Sequence, residues 1–159
     1  MKTFRLSQGI SRNSPKQIIV HSMGEYIRTP HRIYSAAEYL QFLGLSAHIL
    51  VSPDGELTRC RNDLEGAYHA KGFNTDTLGI EFLVSGIHDY MGFLTAIEAD
   101  WVQEAQYEAG AEQCAEWMRK FGIESILRHS DISPDRKVDP GTGFKWTEFL
   151  GTVQSKLGG

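Results

Sequence analysis

Two histidines and an aspartate, far apart in a chain of 159 residues, carry the strongest suggestion of chemistry. The segment Arg128-His129-Ser130-Asp131-Ile132-Ser133-Pro134-Asp135-Arg136-Lys137-Val138-Asp139-Pro140-Gly141 places an imidazole, an ammonium and a carboxylate on one short, turn-rich stretch. Far upstream, His21 ends the apolar run Gln17-Ile18-Ile19-Val20. Two imidazoles and one carboxylate leave the fourth position of a tetrahedral zinc ion open to water, as catalytic rather than structural zinc requires. His21, His129 and Asp139 are therefore the expected zinc ligands, and the expected chemistry is metal-assisted hydrolysis of an amide. No His-Glu-x-x-His motif is present, so separate segments must bring the ligands together.

Two further groups fit that chemistry. Glu81 interrupts the apolar run Leu78-Gly79-Ile80-Glu81-Phe82-Leu83-Val84, and an unpaired charge in such a run is costly to bury. It reads either as an edge-strand residue facing water or as the base beside the metal, and its apolar neighbours favour the base. Lys137 reads either as solvated surface or as an ammonium that stabilises a developing oxyanion. The loop Ala67-Tyr68-His69-Ala70-Lys71-Gly72-Phe73-Asn74 offers stacking faces and hydrogen-bonding groups, although composition alone makes it an ordinary aromatic-bearing loop. His48 alternates with apolar neighbours and either lines a cleft, the preferred reading, or is a satisfied core histidine. His31 and His88 read as surface. Cys60 and Cys114 read as small buried apolar residues, and Trp101, Trp117 and Trp146 as core.

These side chains need elements to hold them. Gln17 to His21 reads as a buried strand after the turn residues Asn13-Ser14-Pro15. Thr29 to Arg32 reads as a loop. Ser35 caps a predicted helix over residues 36–43, with Glu38 in the capping-box position and Gly44 as the stop. Residues 47–51 and 56–60 read as two strands joined by the tight turn Ser52-Pro53-Asp54-Gly55. A loop over 64–77 precedes a strand over 78–84, and 85–94 reads as a surface loop. Residues 95–121 read as helical for much of their length, with Gly122 ending them, and 123–127 as the strand that delivers His129. Residues 146 to about 156 read as a short helix. Strands mixed with helices, including a hairpin, predict an α/β fold: one catalytic domain over 1–159, its core at about 17–150, with a mixed central sheet flanked by helices.

Composition narrows the options. A hydrophobic content of 41% and a charged content of 23% suit a soluble globular chain. A formal net charge of -4 gives no reason to expect nucleic acid, which would want a basic face. No apolar stretch approaches membrane-spanning length, and Met1 to Pro15 lacks the apolar segment of a secretory signal. The expectation is a monomer made in the cytoplasm, without nucleic-acid or membrane partners, that reaches a cell wall only if another component releases or exports it. Two cysteines are too few for a disulfide framework, and cytosolic thiols are the better reading.

In five segments the chain resembles the zinc-dependent N-acetylmuramoyl-L-alanine amidases of the Amidase_2 type, whose fold is shared with peptidoglycan recognition proteins and small phage lysozymes. The segments are Ile19-Val20-His21, Ser46-Ala47-His48 with Asp54-Gly55, Tyr68 through Asn74, Leu78-Gly79-Ile80-Glu81, and His129 through Pro134 continuing to Lys137 through Gly141. The resemblance spans Ile18 to Phe149. It implies Zn²⁺ on His21, His129 and Asp139, a catalytic pair of Glu81 and Lys137, and substrate contacts from Tyr68, Ser22 and Ser133; His69 and Asn74 of the loop and His48 of the strand are further candidates for substrate contact. The implied reaction is hydrolysis of the amide between N-acetylmuramic acid and L-alanine, with peptidoglycan or a muropeptide as the partner. Asp139 and Ala47 resemble the cytoplasmic branch that recycles anhydro-muropeptides. The 69–74 motif and the compact length resemble phage endolysins, which is the first expectation, with a recycling amidase second. A recognition module that binds without cutting would need a lost ligand or acid-base residue, and all five positions are filled.

Overall fold

The computed structural model describes residues 1–11 and 14–158. The expected turn residue Asn13 lies outside them. Seven strands form one sheet: β1 (Lys2–Thr3), β2 (Gln17–Arg28), β3 (Ile33–Ser35), β4 (Ile49–Val51), β5 (Leu57–Arg59), β6 (Thr77–His88) and β7 (Ser125–Arg128). Their order is β1-β5-β4-β6-β2-β3, with β7 also pairing with β2. The β2–β6, β2–β7, β4–β6 and β1–β5 pairs are parallel, whereas β4–β5 and β2–β3 are antiparallel. The mixed sheet flanked by helices agrees with the expected class.

The two central strands are long apolar runs because both of their faces are covered. On one face Ile18, Val20, Leu78, Ile80, Phe82 and Val84 pack with Trp117, Phe149 and Val153 from the helices α3 (Glu104–Phe121) and α5 (Trp146–Gly158). On the other face Leu50 and Leu83 pack with Ala36, Ala37 and Leu40 of α1 (Ala36–Leu43) and with Leu6. Helix α1 forms as its sequence predicts. The Ser35 side chain accepts from Glu38 N, Glu38 accepts from Ser35 N, and Gly44 closes the helix in the left-handed region at φ 71°. The folded unit reaches beyond the expected 17–150 core, since Leu6 and Val153 are both buried.

Three expectations change. The first strand runs to Arg28 instead of ending at His21, because β3 replaces β7 as its neighbour from Tyr26 onward. The segment 85–94 is not a surface loop: β6 continues to His88, and Asp89 caps a helix α2 (Tyr90–Ala96) by accepting from Gly92 N at 2.7 Å. The helix expected from residue 95 starts only at Glu104, after residues 97–103 turn through buried Ile97, Trp101 and Val102. Cys60 and Cys114 are both buried free thiols. Trp101 and Trp117 belong to the core, and Trp146 packs against it.

Helix α3 lies so close to the sheet that a Cβ on Gly110 would sit 2.3 Å from the Phe82 ring. Helix propensity alone would make Gly110→Ala stabilising by about 1 kcal/mol. Overpacking against a buried ring costs about 1–3 kcal/mol, so the expected sign is reversed. The variant should unfold at lower urea concentration than wild type, with an unchanged slope, in an equilibrium titration.

Candidate metal and catalytic site

Parallel pairing sets the site. In the β2–β6 register His21 stands opposite Glu81, and in the β2–β7 register Val20 stands opposite Arg128. His129 follows Arg128 directly, so both imidazoles and Glu81 come out at the same level, where β7 ends beside the middle of β2 and β6. His129 opens a one-turn helix α4 (His129–Ile132), and the chain then folds back. Arg136 N and Lys137 N both donate to Ser133 O, at 3.1 and 2.9 Å, which turns Lys137 inward. Ser130 N donates to Asp139 O at 3.1 Å, and Ser22 Oγ donates to Pro140 O at 3.2 Å. The Asp139–Pro140 peptide bond is cis.

Three donor atoms converge. His21 Nδ1 lies 3.0 Å from His129 Nδ1, and each lies 3.2 Å from Asp139 Oδ2. Among the described residues this is the group of three that could hold a metal ion. Ligands at about 2.0–2.1 Å from a tetrahedral centre stand about 3.3 Å apart, close to the observed spacing.

The tautomer of His21 also fits a metal. Thr77 Oγ1 donates its proton to Phe73 O at 2.6 Å, so its contact at 2.9 Å with His69 Nε2 makes that nitrogen the donor. Burial holds His69 neutral by pushing its pKa well below the usual value, and neighbouring His21 pushes the same way. His69 Nδ1 is then bare and accepts from His21 Nε2–H at 2.8 Å. That leaves the His21 Nδ1 lone pair facing His129 and Asp139. Burial likewise lowers the pKa of His21, against the opposing pull of Asp139. For Asp139 burial acts upward, but the two neighbouring imidazoles outweigh it and hold its pKa below the usual carboxylate range. Two neutral imidazoles and one carboxylate are the ionisation states that metal binding needs.

Glu81 lies beside this cluster. It is 7% exposed, and its Oε1 is buried without a hydrogen-bond partner. Burial drives its pKa well above the carboxylate range, the Asp139 charge adds to this, and Lys137 partly opposes it. A raised carboxylate pKa near a metal site suits a group that must take up and then release a proton.

The cleft brings together His21, Ser22, Tyr68, His69, Glu81, His129, Lys137 and Asp139. Three expected substrate contacts sit elsewhere. His48 is fully buried: its Nδ1 accepts from Gly79 N at 3.0 Å and its Nε2 donates to Glu65 O at 2.7 Å, so it is the satisfied core histidine. Asn74 Oδ1 accepts from His69 N and Ala70 N, which spends it on shaping the loop. Ser133 acts through its carbonyl in the turn before Lys137. His69 borders the cleft, and its ring nitrogens are engaged by His21 and Thr77. Its place depends on Gly79, where a Cβ would stand 2.6 Å from His69 Nδ1.

Sequence reasoning missed the wall made by Tyr90, Phe93 and Leu94 together with Val138. The signal was the Asp89 cap before an apolar Tyr-Met-x-Phe-Leu run, which marks a short helix.

Comparisons with known proteins place this arrangement. The sequence pattern described as N-acetylmuramoyl-L-alanine amidase matches residues 11–142. The 1,6-anhydro-N-acetylmuramyl-L-alanine amidase AmpD of Haemophilus influenzae is 30% identical over 124 residues, which cover 69% of this chain and 59% of that protein. The chain thus spans less than two thirds of the length of that curated relative. N-acetylmuramoyl-L-alanine amidase LysC from Clostridium intestinale shares the fold at a TM-score of 0.72 and 20% identity, covering 96% of both chains. The amidase AmiD of E. coli, solved with anhydro-N-acetylmuramic acid-L-Ala-D-gamma-Glu-L-Lys, aligns at a TM-score of 0.62 and 19% identity over 93% of this chain and 60% of that one.

Two outcomes follow from the geometry. His69→Ala should weaken divalent-metal affinity by about 10–100-fold, the usual effect of removing a group that orients a ligand, as read by competition with a chromophoric chelator. Glu81→Gln should change metal-free stability in a pH-dependent way. A carboxyl whose pKa is raised on folding contributes stability below its unfolded value of 4.5 and loses it as pH rises toward the folded value. The variant should therefore gain on wild type progressively as pH climbs above that value in thermal unfolding without metal.

Proposed function

Because this chain belongs to the N-acetylmuramoyl-L-alanine amidase family, we propose that it hydrolyses the amide joining the lactyl group of N-acetylmuramic acid to L-alanine, using Zn²⁺. The observation that carries the reading is the buried, unpartnered Glu81 Oε1 beside three metal-competent donors and Lys137 in one cleft. His21, His129 and Asp139 are the residues that would hold the ion. When bound, zinc supplies Lewis acidity for the carbonyl and lowers the pKa of water.

The chain's own residues do the rest. Glu81 accepts a proton from the attacking water and returns it to the leaving amine, a task that its raised pKa suits. Lys137 donates to the carbonyl oxygen as negative charge grows there. Tyr68, 38% exposed, and Tyr90 line the same cleft and offer it aromatic rings. One copy carries every named residue, which supports a monomer acting alone, with residues 1–159 as one catalytic unit.

Two forms of substrate contain this bond: intact wall and soluble muropeptide. The 30% identical AmpD, named for a 1,6-anhydro-muramyl substrate, favours the soluble form. Likeness to the LysC amidase concerns the fold and leaves intact wall as the other form.

Glu81→Gln should lower turnover by about 10²–10⁴-fold. Lys137→Ala should lower it by about 10²–10³-fold, and both variants should still bind zinc. Mass spectrometry of products from a defined muropeptide, with and without chelator, checks the reaction. Full turnover in both variants, or turnover that survives chelation, refutes the assignment. Parallel incubation with purified sacculi and with soluble muropeptides separates the two substrate forms.

A further inference from the structure

A buried charge outside the catalytic cleft holds one of the cleft's loops. Arg61 is buried, and a buried guanidinium is costly unless its donors are matched. Here the backbone matches them. Nε and Nη2 donate to Gly66 O at 3.1 and 2.8 Å, Nη1 to Leu6 O at 3.2 Å and Ser7 O at 3.4 Å, and Nη2 also to Ile10 O at 3.1 Å. The carboxylate beside it, Glu65, stands 3.6 Å away and is already gripped by both arms of Arg5, at 2.5 and 2.6 Å. Arg61 is thus a fork that ties residues 6–10 to Gly66, and Gly66 N adds a bond to Ile10 O at 3.0 Å.

Gly66 stands two residues before Tyr68 and three before His69. Tyr68 lines the cleft, and His69 Nδ1 meets His21 Nε2 at 2.8 Å. The backbone between the fork and these rings has little freedom. His48 Nε2 donates to Glu65 O at 2.7 Å, and Ala67 is fully buried. Tyr68 N donates to Ser46 Oγ at 2.8 Å, and Ser46 N donates to Tyr68 O at 3.1 Å. A displacement at Gly66 O therefore breaks one of these bonds or moves the His69 ring. The space around the fork is full as well: a Cβ on Gly9 would stand 2.5 Å from Gly66 O and 2.6 Å from Arg61 Nη2.

Building on the amidase reading, we propose that Arg61 is a positioning residue of the metal site. It fixes the place of the His69 ring and, through that ring, the direction in which His21 Nδ1 points. Residues 6–10 then belong to the catalytic unit, although their part is to supply carbonyls to the fork instead of side chains to the cleft. Lysine is no substitute for Arg61, because an ammonium presents its donors from a single point and loses the planar fork that reaches Leu6 O, Ile10 O and Gly66 O together.

The test uses the full chain and three variants. Arg61→Lys keeps the charge and loses the fork. Gly9→Ala keeps Arg61 and displaces it. Arg5→Ala removes a half-exposed ion pair on the same loop and is the control for lost stability alone. Zinc affinity is read by competition with a chromophoric chelator at a temperature where circular dichroism shows the variants folded. The imidazole N–H proton resonances of His21 and His69 are read in the metal-free protein. Arg61→Lys and Gly9→Ala should each weaken zinc binding by about tenfold and move both resonances, while Arg5→Ala leaves affinity and resonances at wild-type values. Should Arg61→Lys fail to fold, Gly9→Ala decides alone. Wild-type affinity and resonances in the fork variants overturn the proposal while sparing the amidase reading. An equal loss in Arg5→Ala also overturns it, since the effect would then be general destabilisation. Wild type that binds no zinc overturns the zinc amidase reading and the proposal together.

Discussion

Everything at this site rests on the parallel pairing of β2 with β6 on one side and with β7 on the other. One strand register sets His21 against Glu81, and the other ends so that His129 follows beside His21. A slip of one residue would turn every side chain of the slipped strand to the opposite face. The slip is opposed by the core, because Ile18, Val20, Ile80 and Phe82 would then leave the helix-covered face. The hydrophobic pattern and the catalytic geometry are thus one constraint: the residues that bury the sheet also align the polar groups between them.

A second layer of order holds the loop over 61–74 against that frame. The Arg61 guanidinium, 3% exposed, donates to Leu6 O, Ile10 O and Gly66 O, tying the N-terminal segment to the loop. His48 binds Glu65 O from below, Ser46 Oγ accepts from Tyr68 N, and Asn74 closes the turn around His69. The outcome of this backbone work is one ring in one tautomer. Buried polar groups satisfied in this way are costly to disturb, so the loop is held in place where it supports His21.

The site also keeps a deliberate imbalance. The three converging donors offer lone pairs and one negative charge, and Glu81 adds a second carboxyl a short distance away. Burial pushes the Glu81 pKa well above the usual carboxylate range, while the neighbouring imidazoles hold that of Asp139 below it. Two carboxyls in different environments therefore differ in proton affinity. Lys137, brought in by the turn after Ser133, adds the cation that favours ionised Glu81.

Much of this was legible beforehand. The capping box at Ser35, the Ser52–Gly55 hairpin and the α/β class are local, since each follows from propensity and spacing within a few residues. The five residues that meet in the cleft were noticeable because their types are unusual in those settings, as with a carboxyl inside an apolar strand and a histidine after an apolar run. The segment 85–94 was misread because Tyr90, Phe93 and Leu94 line a cleft that no local pattern reveals. His48, Asn74 and His69 were recognised as notable, but their roles depend on partners 31, 5 and 48 residues away. The sequence by itself determined which side chains the chain can bring to chemistry. Only the tertiary structure decided which groups touch the cleft and which hold it in place, because a side chain's role is set by the atoms that share its hydrogen bonds, and strand pairing selects those atoms.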